Sequence, residues 1–255
     1  MTRFRSFATE STEPRDRTMT DFGQMWKYAS YIRKDPFRRG LHYPAIEKVL
    51  GDLNKKRILD VGCGDGLFPR LLAKHGASVV GYDKAVEKIV EARAHRDAPG
   101  LGVRYVRATQ YTFSDDAAFD AATSVMVLPY AASVEELTAF FRSTSRHLVA
   151  GGRFVSVVLN PSFSAFATDF FIRRVTKLQG NKVRMEFLDP TSGNVEMAME
   201  KHQYTKTEYD RAAADGGMKS ESWKRLFARR DAVEQMGESF WQPCHECQPY
   251  IAQKA

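Results

Sequence analysis

Cysteine, long apolar runs and blocks of like charge are all scarce in this chain of 255 residues. Its three cysteines are too few for a disulfide framework, so they favour a reducing, cytoplasmic setting. Apolar runs fall well short of the roughly 18 residues that a membrane-spanning helix needs, which argues against a membrane protein. Residues 1–21 are polar and lack the apolar core of a secretory signal, so we expect a disordered tail there.

The charge is positive overall but finely mixed. Lysine and arginine number 38 against 31 acidic residues, which gives a net charge of +7. Basic and acidic side chains are interspersed, whereas a nucleic-acid-binding protein usually concentrates its positive charge in one patch or stripe. We therefore expect a solvated surface of mixed charge rather than a nucleic-acid-binding face. The composition leaves both a monomer and a homodimer open.

Strand and helix signals alternate through the middle of the chain. Short runs rich in β-branched residues precede amphipathic segments with helix signals, such as the capping box Ser133-x-x-Glu136. This order predicts βαβ units and therefore a parallel sheet in an α/β fold. The expected strands span residues 57–62, 78–83, 103–108, 119–127 and 153–160, and the expected helices span residues 67–75, 85–98 and 133–150.

The pattern changes after the fifth expected strand. We predict a helix over residues 162–179, followed by a β-hairpin with strands at residues 183–188 and 195–204. Strand signals near the end of the chain then suggest that the same sheet continues. We therefore expect one domain over residues 22–255, with a helix-and-hairpin insertion at residues 161–204 on the substrate side.

Three glycines lie at an expected strand-to-helix junction, in the run Asp60-Val61-Gly62-Cys63-Gly64-Asp65-Gly66. Glycine tolerates a positive φ in a tight turn and lets a ligand approach the backbone. The spacing differs from the G-x-G-x-x-G of dinucleotide sites, because one residue separates the second and third glycines. Asp60 would repel a pyrophosphate but suits an ammonium group. The run favours a nucleoside that carries an amine, with a plain turn as the alternative.

A second acidic residue, Asp83, ends the next expected strand. A carboxylate at this place can accept hydrogen bonds from both hydroxyls of a ribose, as in nucleotide-binding folds. Taken alone, it could instead cap the helix that follows. Because Asp60, the glycines and Asp83 occur together at this spacing, we interpret them as one nucleoside site.

The run RILDVGCGDGLFPRLLAKHGASVVGYD, residues 57–83, resembles the first two motifs of the class I S-adenosylmethionine-dependent methyltransferases. The resemblance implies a doubly wound, Rossmann-like sheet of seven mostly parallel strands, the last one antiparallel. It also implies S-adenosylmethionine as cofactor and S-adenosylhomocysteine as product. Relatives often carry an aspartate for the adenine after the third strand, but this chain has Thr109 and Gln110 there. The implied cofactor residues are Asp60, Gly62, Cys63, Gly64, Asp83, Lys84, Thr109, Gln110, Val125 and Met126.

Aromatic residues and arginine are concentrated in residues 22–42, before the first expected strand. Such a segment can be an amphipathic helix that packs on the sheet. It also resembles the cofactor-covering segment of small-molecule enzymes such as glycine N-methyltransferase. More loosely, the layout with residues 35–39 near the start, residues 202–204 before an expected helix and Phe240-Trp241 near the end resembles azapteridine (toxoflavin-type) N-methyltransferases. The resemblance implies that Tyr28 and Tyr31 stabilise the sulfonium and that Arg38 pairs with the cofactor carboxylate.

Residues 124–130, near the end of the fourth expected strand, lack the motifs of several methyltransferase classes, and this narrows the class of methyl acceptor. They contain no Asn-Pro-Pro-aromatic run of adenine N6-DNA enzymes, no cysteine for cytosine C5 chemistry and no carboxylate for a Mg²⁺-dependent enzyme. A metal-independent enzyme with a small-molecule substrate remains. The resemblance to small-molecule N-methyltransferases implies that a ring-bearing metabolite is methylated on nitrogen, with oxygen as the less favoured acceptor. A hydroxyl acceptor would need a base, and the candidates are Tyr130, His202 and Tyr204.

Aromatic residues in the expected insertion suggest a substrate pocket. Phe163, Phe166 and Phe170 could line an apolar chamber for a flat substrate, although each could equally belong to the core. Cys244 and Cys247 do not make a zinc site, because a structural site needs four ligands. We expect no metal.

Other functions stay open at this level. The same fold could serve an RNA or protein methyltransferase, or a non-catalytic relative that binds only the nucleoside. A nicotinamide-dependent dehydrogenase is disfavoured by the glycine spacing and by the acid at Asp60.

Overall fold

A computed structural model describes residues 37–95, 98–163, 168–170, 173–189, 192–226, 228–236 and 247–255. Its strands are β1 (Arg57–Val61), β2 (Ser78–Asp83), β3 (Arg104–Arg107), β4 (Phe119–Val125), β5 (Leu148–Leu159), β6 (Thr168–Phe170), β7 (Arg173–Lys177), β8 (Lys182–Leu188), β9 (Val195–His202), β10 (Met218–Trp223) and β11 (Cys247–Lys254). Its helices are the π-helix Arg38–His42, the α-helices Tyr43–Leu50, Leu67–Lys74, Val86–Ala94, Ala98–Leu101, Val134–His147, Lys206–Asp215 and Arg230–Met236, and the 3-10 helix Leu128–Tyr130.

The described residues form two sheets, and the larger has seven strands in the order β10-β11-β5-β4-β1-β2-β3. β11 runs antiparallel to both of its neighbours, whereas the pairs among β1 to β5 are parallel. The doubly wound sheet with an antiparallel last strand, expected from the sequence, is therefore confirmed.

The central strands are apolar almost throughout because both of their faces are covered. In β1, Ile58 belongs to one buried cluster and Leu59 to another. Neighbouring residues of a strand point to opposite faces, so each face of the sheet has its own core. Such strands show runs of apolar residues rather than alternation.

The order of the strands places a ligand site at one edge. From β1 the chain builds outward through β2 and β3, then returns to place β4 on the other side of β1. In doubly wound sheets, ligands bind beyond the carboxyl ends of the strands where the order reverses in this way. The residues that follow β1, β2 and β4 are therefore brought together.

The insertion differs from the sequence-based expectation. The hairpin is confirmed as β8 and β9, but the helix predicted over residues 162–179 is wrong for the residues described, which form β6 and β7. The four strands make a separate antiparallel sheet in the order β6-β7-β8-β9. Strand pairing with β8 outweighs local helix propensity here, because propensity is a weak prior that tertiary context overrides.

Two groups of expectations lie outside the described residues. The tail at residues 1–21, Tyr28 and Tyr31 precede Phe37, where the description begins, and Phe166 falls in a further gap. In the part of the chain that the structure describes, no helix is long and apolar enough to cross a membrane. The same part contains no group of three or more potential metal ligands.

Candidate functional site

A cavity of about 460 Å³ lies beside the carboxyl ends of β1, β2 and β4. Its walls come from the glycine loop, from the residues after β2, β3 and β4, and from the start of the helix Val134–His147. The lining residues are Arg38, Gly62, Gly64, Asp65, Tyr82, Asp83, Lys84, Ala85, Lys88, Ala108, Thr109, Gln110, Tyr111, Val125, Met126, Val127, Tyr130, Glu136 and Phe140.

The glycine loop opens its backbone toward this cavity. Gly62 has a φ of +68°, and a Cβ at this position would lie 2.4 Å from Val127 Cγ2. Gly64 has a φ of +54°, and a Cβ there would meet no atom within 4 Å. The loop therefore packs against Val127 at Gly62, whereas at Gly64 it leaves room for a ligand to approach the main chain.

Asp83 joins the loop to the end of β2. Its Oδ2 accepts a hydrogen bond from the Gly64 amide at 2.9 Å, and its Oδ1 accepts one from the Ala85 amide at 2.9 Å. Burial raises the pKa of Asp83, and these two amides oppose the shift. An ionised carboxylate has about four acceptor positions, so two remain for ligand hydroxyls. The helix Val86–Ala94 has no side-chain cap, so Asp83 serves the loop and the turn before that helix rather than capping it.

Two buried side chains hold the loop from behind. Arg70 Nη1 donates to the Asp65 carbonyl at 2.8 Å, and Tyr105 Oη donates to the Gly66 carbonyl at 3.3 Å. A Cβ on Gly66 would lie 2.5 Å from Tyr105 Oη. Neither residue was among the expected site residues, and no local signal could indicate Tyr105, because it reaches the loop from β3.

Asp60 lies beneath the loop and is 3% exposed, but it does not line the cavity. Thr123 Oγ1 donates to its Oδ1 at 2.6 Å. Burial is the main cause that raises the pKa of Asp60 to about 7. The hydrogen bond from Thr123 and the charge of Arg38 lower this pKa, whereas the charge of Asp83 raises it further. Asp60 is therefore a carboxyl group that titrates near neutral pH.

Arg38 brings a positive charge to the cavity from the π-helix Arg38–His42. Burial raises the pKa of the neighbouring Tyr43 to about 12, although the charge and hydrogen bond of Arg38 oppose the shift. The ring of Tyr43 stacks on Phe68 with 4.4 Å between centroids. Arg38 is thus placed where an anionic group of a ligand can meet it.

A pair of polar side chains lines another part of the wall. Gln110 Nε2 donates to Glu136 Oε1 at 3.2 Å, and the Ala132 amide donates to Glu136 Oε2 at 2.8 Å. A carboxylate only accepts, so it fixes the amide nitrogen of Gln110 toward itself and leaves the amide oxygen for another donor. Sequence analysis identified Glu136 only as a helix-capping residue and missed its place in the site.

The residues after β4 form the apolar part of the wall. Met126 has a φ of +60°, a left-handed backbone that is uncommon for a residue other than glycine. Val125, Met126 and Val127 all line the cavity, as does Tyr130, whose hydroxyl donates to Met199 Sδ at 3.1 Å. Because β9 supplies Met199, the insertion adjoins the cavity wall.

The structure does not bring the other two candidate bases to this cavity. Tyr204 is 1% exposed, its hydroxyl donates to the Ala131 carbonyl at 2.6 Å, and burial raises its pKa to about 12. His202 Nδ1 lies 3.1 Å from Asn181 Oδ1, and burial lowers its pKa. Neither residue lines the cavity.

Two further expected site residues also lie behind the wall. Cys63 is buried, and a Cβ on Gly81 would lie 2.7 Å from its Cβ, so it packs beneath the loop. Phe163 is partly buried against the core, and its carbonyl accepts a hydrogen bond from Gln203 Nε2 at 2.8 Å. The side chain of Phe170 is outside the description.

Known proteins that are similar to this chain are methyltransferases. Residues 58–152 match the family model of a methyltransferase domain. Similar curated proteins include the ubiquinone biosynthesis O-methyltransferase of Azorhizobium caulinodans, 33% identical over 126 residues, which are 49% of this chain and 49% of the relative. That of Sinorhizobium medicae is 30% identical over 175 residues, 66% of each chain. The chain spans about half the length of most of the curated relatives it matches.

Solved structures share the fold. An amino pentose methyltransferase from Micromonospora echinaspora, with S-adenosylmethionine bound, has a TM-score of 0.66 at 21% identity, over 94% of this chain and 100% of that one. A sugar N-methyltransferase from Streptoalloteichus sp. has a TM-score of 0.65 at 18% identity, over 98% and 99%. The chain therefore has the doubly wound fold found in S-adenosylmethionine-dependent methyltransferases. The closer resemblance to glycine and azapteridine N-methyltransferases stays a prediction.

Proposed function

We propose that this chain transfers a methyl group from S-adenosylmethionine to a nitrogen or oxygen atom of a small, ring-bearing molecule. The observation that carries the proposal is the hydrogen bond from the Gly64 amide of the glycine loop to Asp83. At this point the main chain of Gly64 lies at the cavity wall with empty space beside it. The methyltransferase-domain match over residues 58–152 covers this junction.

The residues around the cavity fit S-adenosylmethionine part by part. Asp83 keeps acceptor positions for the ribose hydroxyls, and Arg38 offers a charge-assisted hydrogen bond to the carboxylate. Asp60 supplies negative charge beneath the loop for the ammonium group. Lys84, Thr109 and Gln110 border the place for the adenine.

When bound, S-adenosylmethionine supplies a methyl group that its sulfonium has already activated. The chain's own residues then need to orient the acceptor and exclude water, and correct positioning alone can lower the barrier by several kcal/mol. Val125, Met126 and Val127 provide the apolar wall for this purpose. Among the three candidate bases we assign Tyr130 to the acceptor side, since it lines the cavity.

Both acceptor atoms have support. Sequence analysis favours nitrogen, as in the sugar N-methyltransferase with the same fold. The curated relatives are O-methyltransferases. A small-molecule acceptor accommodates both, because an amine with a free lone pair and an ionised hydroxyl react by the same in-line displacement.

Transfer of a labelled methyl group distinguishes the acceptor classes. The full chain is incubated with methyl-labelled S-adenosylmethionine and, separately, with a metabolite extract, total RNA and total protein. We expect label only in the metabolite reaction. Label in RNA or protein would contradict a small-molecule acceptor, and binding of S-adenosylhomocysteine without transfer to any of the three would favour a non-catalytic nucleoside-binding protein.

Binding of S-adenosylhomocysteine should strengthen as the pH rises through 7. The pKa of Asp60 is raised to about 7, so this carboxyl group is mostly neutral below that pH and attracts the ligand ammonium only above it. Between about pH 6 and pH 8 its ionised fraction rises about tenfold, and we expect a similar gain in affinity by calorimetry.

The variant Asp60→Asn tests the cause of this pH dependence. It keeps a hydrogen-bond acceptor for Thr123 but removes the titration, so its affinity should be low and nearly constant with pH. A wild-type affinity that does not change with pH, or a slope that survives in Asp60→Asn, would refute the role of Asp60.

Glu136 should determine recognition of the adenine amino group. It holds the Gln110 amide so that the amide oxygen can accept from that amino group. We expect wild type to bind S-adenosylhomocysteine about tenfold more tightly than S-inosylhomocysteine, in which an oxygen replaces the amino group. Glu136→Ala should lose this preference, because Gln110 can then rotate and donate. The exposed neighbour Glu135→Ala is the control, and an unchanged preference in Glu136→Ala would refute the assignment.

A further inference from the structure

The turn that carries Arg38 is a π-helix, and a proline explains why. In an α-helix the Gly40 carbonyl would accept a hydrogen bond from the amide four residues later, but that residue is Pro44, which has no N–H. The turn is wider than an α-helix instead, and the Tyr43 amide donates to the Arg38 carbonyl. Single turns of π-helix frequently lie at functional sites.

The Gly40 carbonyl receives its hydrogen bond from a distant part of the chain. The Arg229 amide donates to it at 2.9 Å, and Arg229 directly precedes the helix Arg230–Met236. The carbonyl of Arg229 in turn accepts the amide of Val233, in that helix, at 2.9 Å. The main chain of one residue therefore joins the π-helix to the helix Arg230–Met236.

Apolar side chains join the same two elements. Phe37 and Leu41 are 3% and 2% exposed, and among the described residues they form a cluster separate from those on the two faces of the large sheet. The residues that pack against this pair all come from the segment between β10 and β11; they are Leu226, Ala228, Ala232 and Val233. The position of the π-helix therefore depends on this segment.

Arg38 lies between these contacts and the cavity. It follows Phe37 in the chain, it lines the cavity, and its carbonyl accepts the hydrogen bond that closes the π-helix. In the proposed function its guanidinium binds the carboxylate of the cofactor, and such a charge-assisted hydrogen bond requires a specific geometry. A shift of this turn would move the guanidinium but leave the glycine loop and Asp83 in place, because they belong to other elements.

We propose that the segment made of residues 226 and 228–236 is a positioning element for the carboxylate end of the cofactor, with the Arg229 amide as its central contact. The proposal rests on the proposed function and deepens it, since Arg229 acts through Arg38 and does not touch the ligand. Affinity for the amino-acid end of the cofactor and affinity for its nucleoside end would then depend on different parts of the chain.

A proline substitution removes the central contact. Arg229→Pro lacks the amide that donates to Gly40, whereas Arg229→Ala keeps this amide and removes only the side chain, which pairs with Asp231. Arg230→Pro is the matched control for introducing a proline, because the first residue of a helix tolerates it. Each protein is titrated by calorimetry with S-adenosylhomocysteine and with decarboxylated S-adenosylhomocysteine, which lacks only the carboxylate.

The expected signature is a loss of preference for the carboxylate. We expect wild type to bind S-adenosylhomocysteine about tenfold more tightly than the decarboxylated analogue. Arg229→Pro should bind the analogue like wild type, but its preference should fall to about threefold or less. Arg229→Ala and Arg230→Pro should keep the full preference. Arg38→Ala should lose it, and adding Arg229→Pro to Arg38→Ala should change nothing further, because both act on one interaction.

The outcomes separate this proposal from the proposed function. Failure of wild type to bind S-adenosylhomocysteine contradicts the proposed function itself. If that ligand binds but Arg229→Pro keeps the preference, or weakens both ligands equally, the positioning role is refuted while the cofactor site stands. A wild type without any preference for the carboxylate also refutes it. If thermal melting shows that Arg229→Pro fails to fold, Val233→Ala, which removes two methyl groups from the apolar contact, replaces it and should show the same selective loss.

Discussion

Asp83→Ala is expected to weaken the binding of S-adenosylhomocysteine by at least about tenfold, because it removes two kinds of contact at once. The carboxylate is the proposed acceptor of the ribose hydroxyls. It also accepts the amides of Gly64 and Ala85 at 2.9 Å each, so its loss releases the glycine loop from the end of β2. Calorimetry of the purified variant at pH values above 7 gives the change directly.

A matched variant separates ligand contacts from general effects of losing a carboxylate. Asp52 also accepts a backbone amide, that of Asn54 at 3.0 Å, but it lies outside the cavity. Asp52→Ala should therefore leave the affinity unchanged. Asp83→Asn should fall between wild type and Asp83→Ala, since it retains one acceptor oxygen. Wild-type affinity in Asp83→Ala would refute the assignment of the ribose.

Gly62→Ala is expected to have the largest effect of any single substitution, a loss of about 100-fold or more in affinity for S-adenosylhomocysteine. The new Cβ would lie 2.4 Å from Val127 Cγ2 while the backbone holds a φ of +68°. A positive φ costs a residue other than glycine about 1–2 kcal/mol, and the collision adds to this cost by forcing the loop to move. Binding is measured by calorimetry and folding by thermal melting.

Two companion variants divide this effect into its parts. Gly180 has the same φ of +68° but no atom within 4 Å of its virtual Cβ, so Gly180→Ala should lower stability and leave binding intact. Adding Val127→Ala to Gly62→Ala removes the colliding methyl groups and should restore part of the affinity. If Gly62→Ala binds like wild type, the loop does not form the cofactor wall.

The alternation of strands and helices between residues 57 and 160 could be predicted because its signals are local. A buried parallel strand is a short apolar run, and each one here ends at a turn or helix-start signal. Ser133 does accept the amide of Glu136, as its spacing predicted. The glycine loop and Asp83 could be predicted for the same reason, because they lie at the ends of two successive strands and their spacing along the chain is characteristic.

The misjudged parts depend on contacts between distant segments. The aromatic stretch from residue 162 has no period that separates a strand from a helix, and within it the strand Arg173–Lys177 forms by pairing with β8. Tyr204 is a plausible base until the fold places its hydroxyl on the Ala131 carbonyl. Glu136 looks like a cap until the loop after β3 brings Gln110 to it.

Tyr130 shows the same limit from the opposite side. It was one of three candidate bases, and the fold brings it to the cavity wall while His202 and Tyr204 lie elsewhere. Local patterns therefore predicted which residues form the cofactor loop, and tertiary packing determined which residues face the acceptor.

Calorimetric titration of the wild-type chain with S-adenosylhomocysteine, alongside NADH under the same conditions, decides which nucleoside the glycine loop binds. We expect one site per chain with a roughly micromolar dissociation constant for S-adenosylhomocysteine, and no measurable binding of NADH. Absence of binding to S-adenosylhomocysteine, or tighter binding of NADH, would contradict the assignment of the loop at Asp60–Gly66 to a nucleoside that carries an amine.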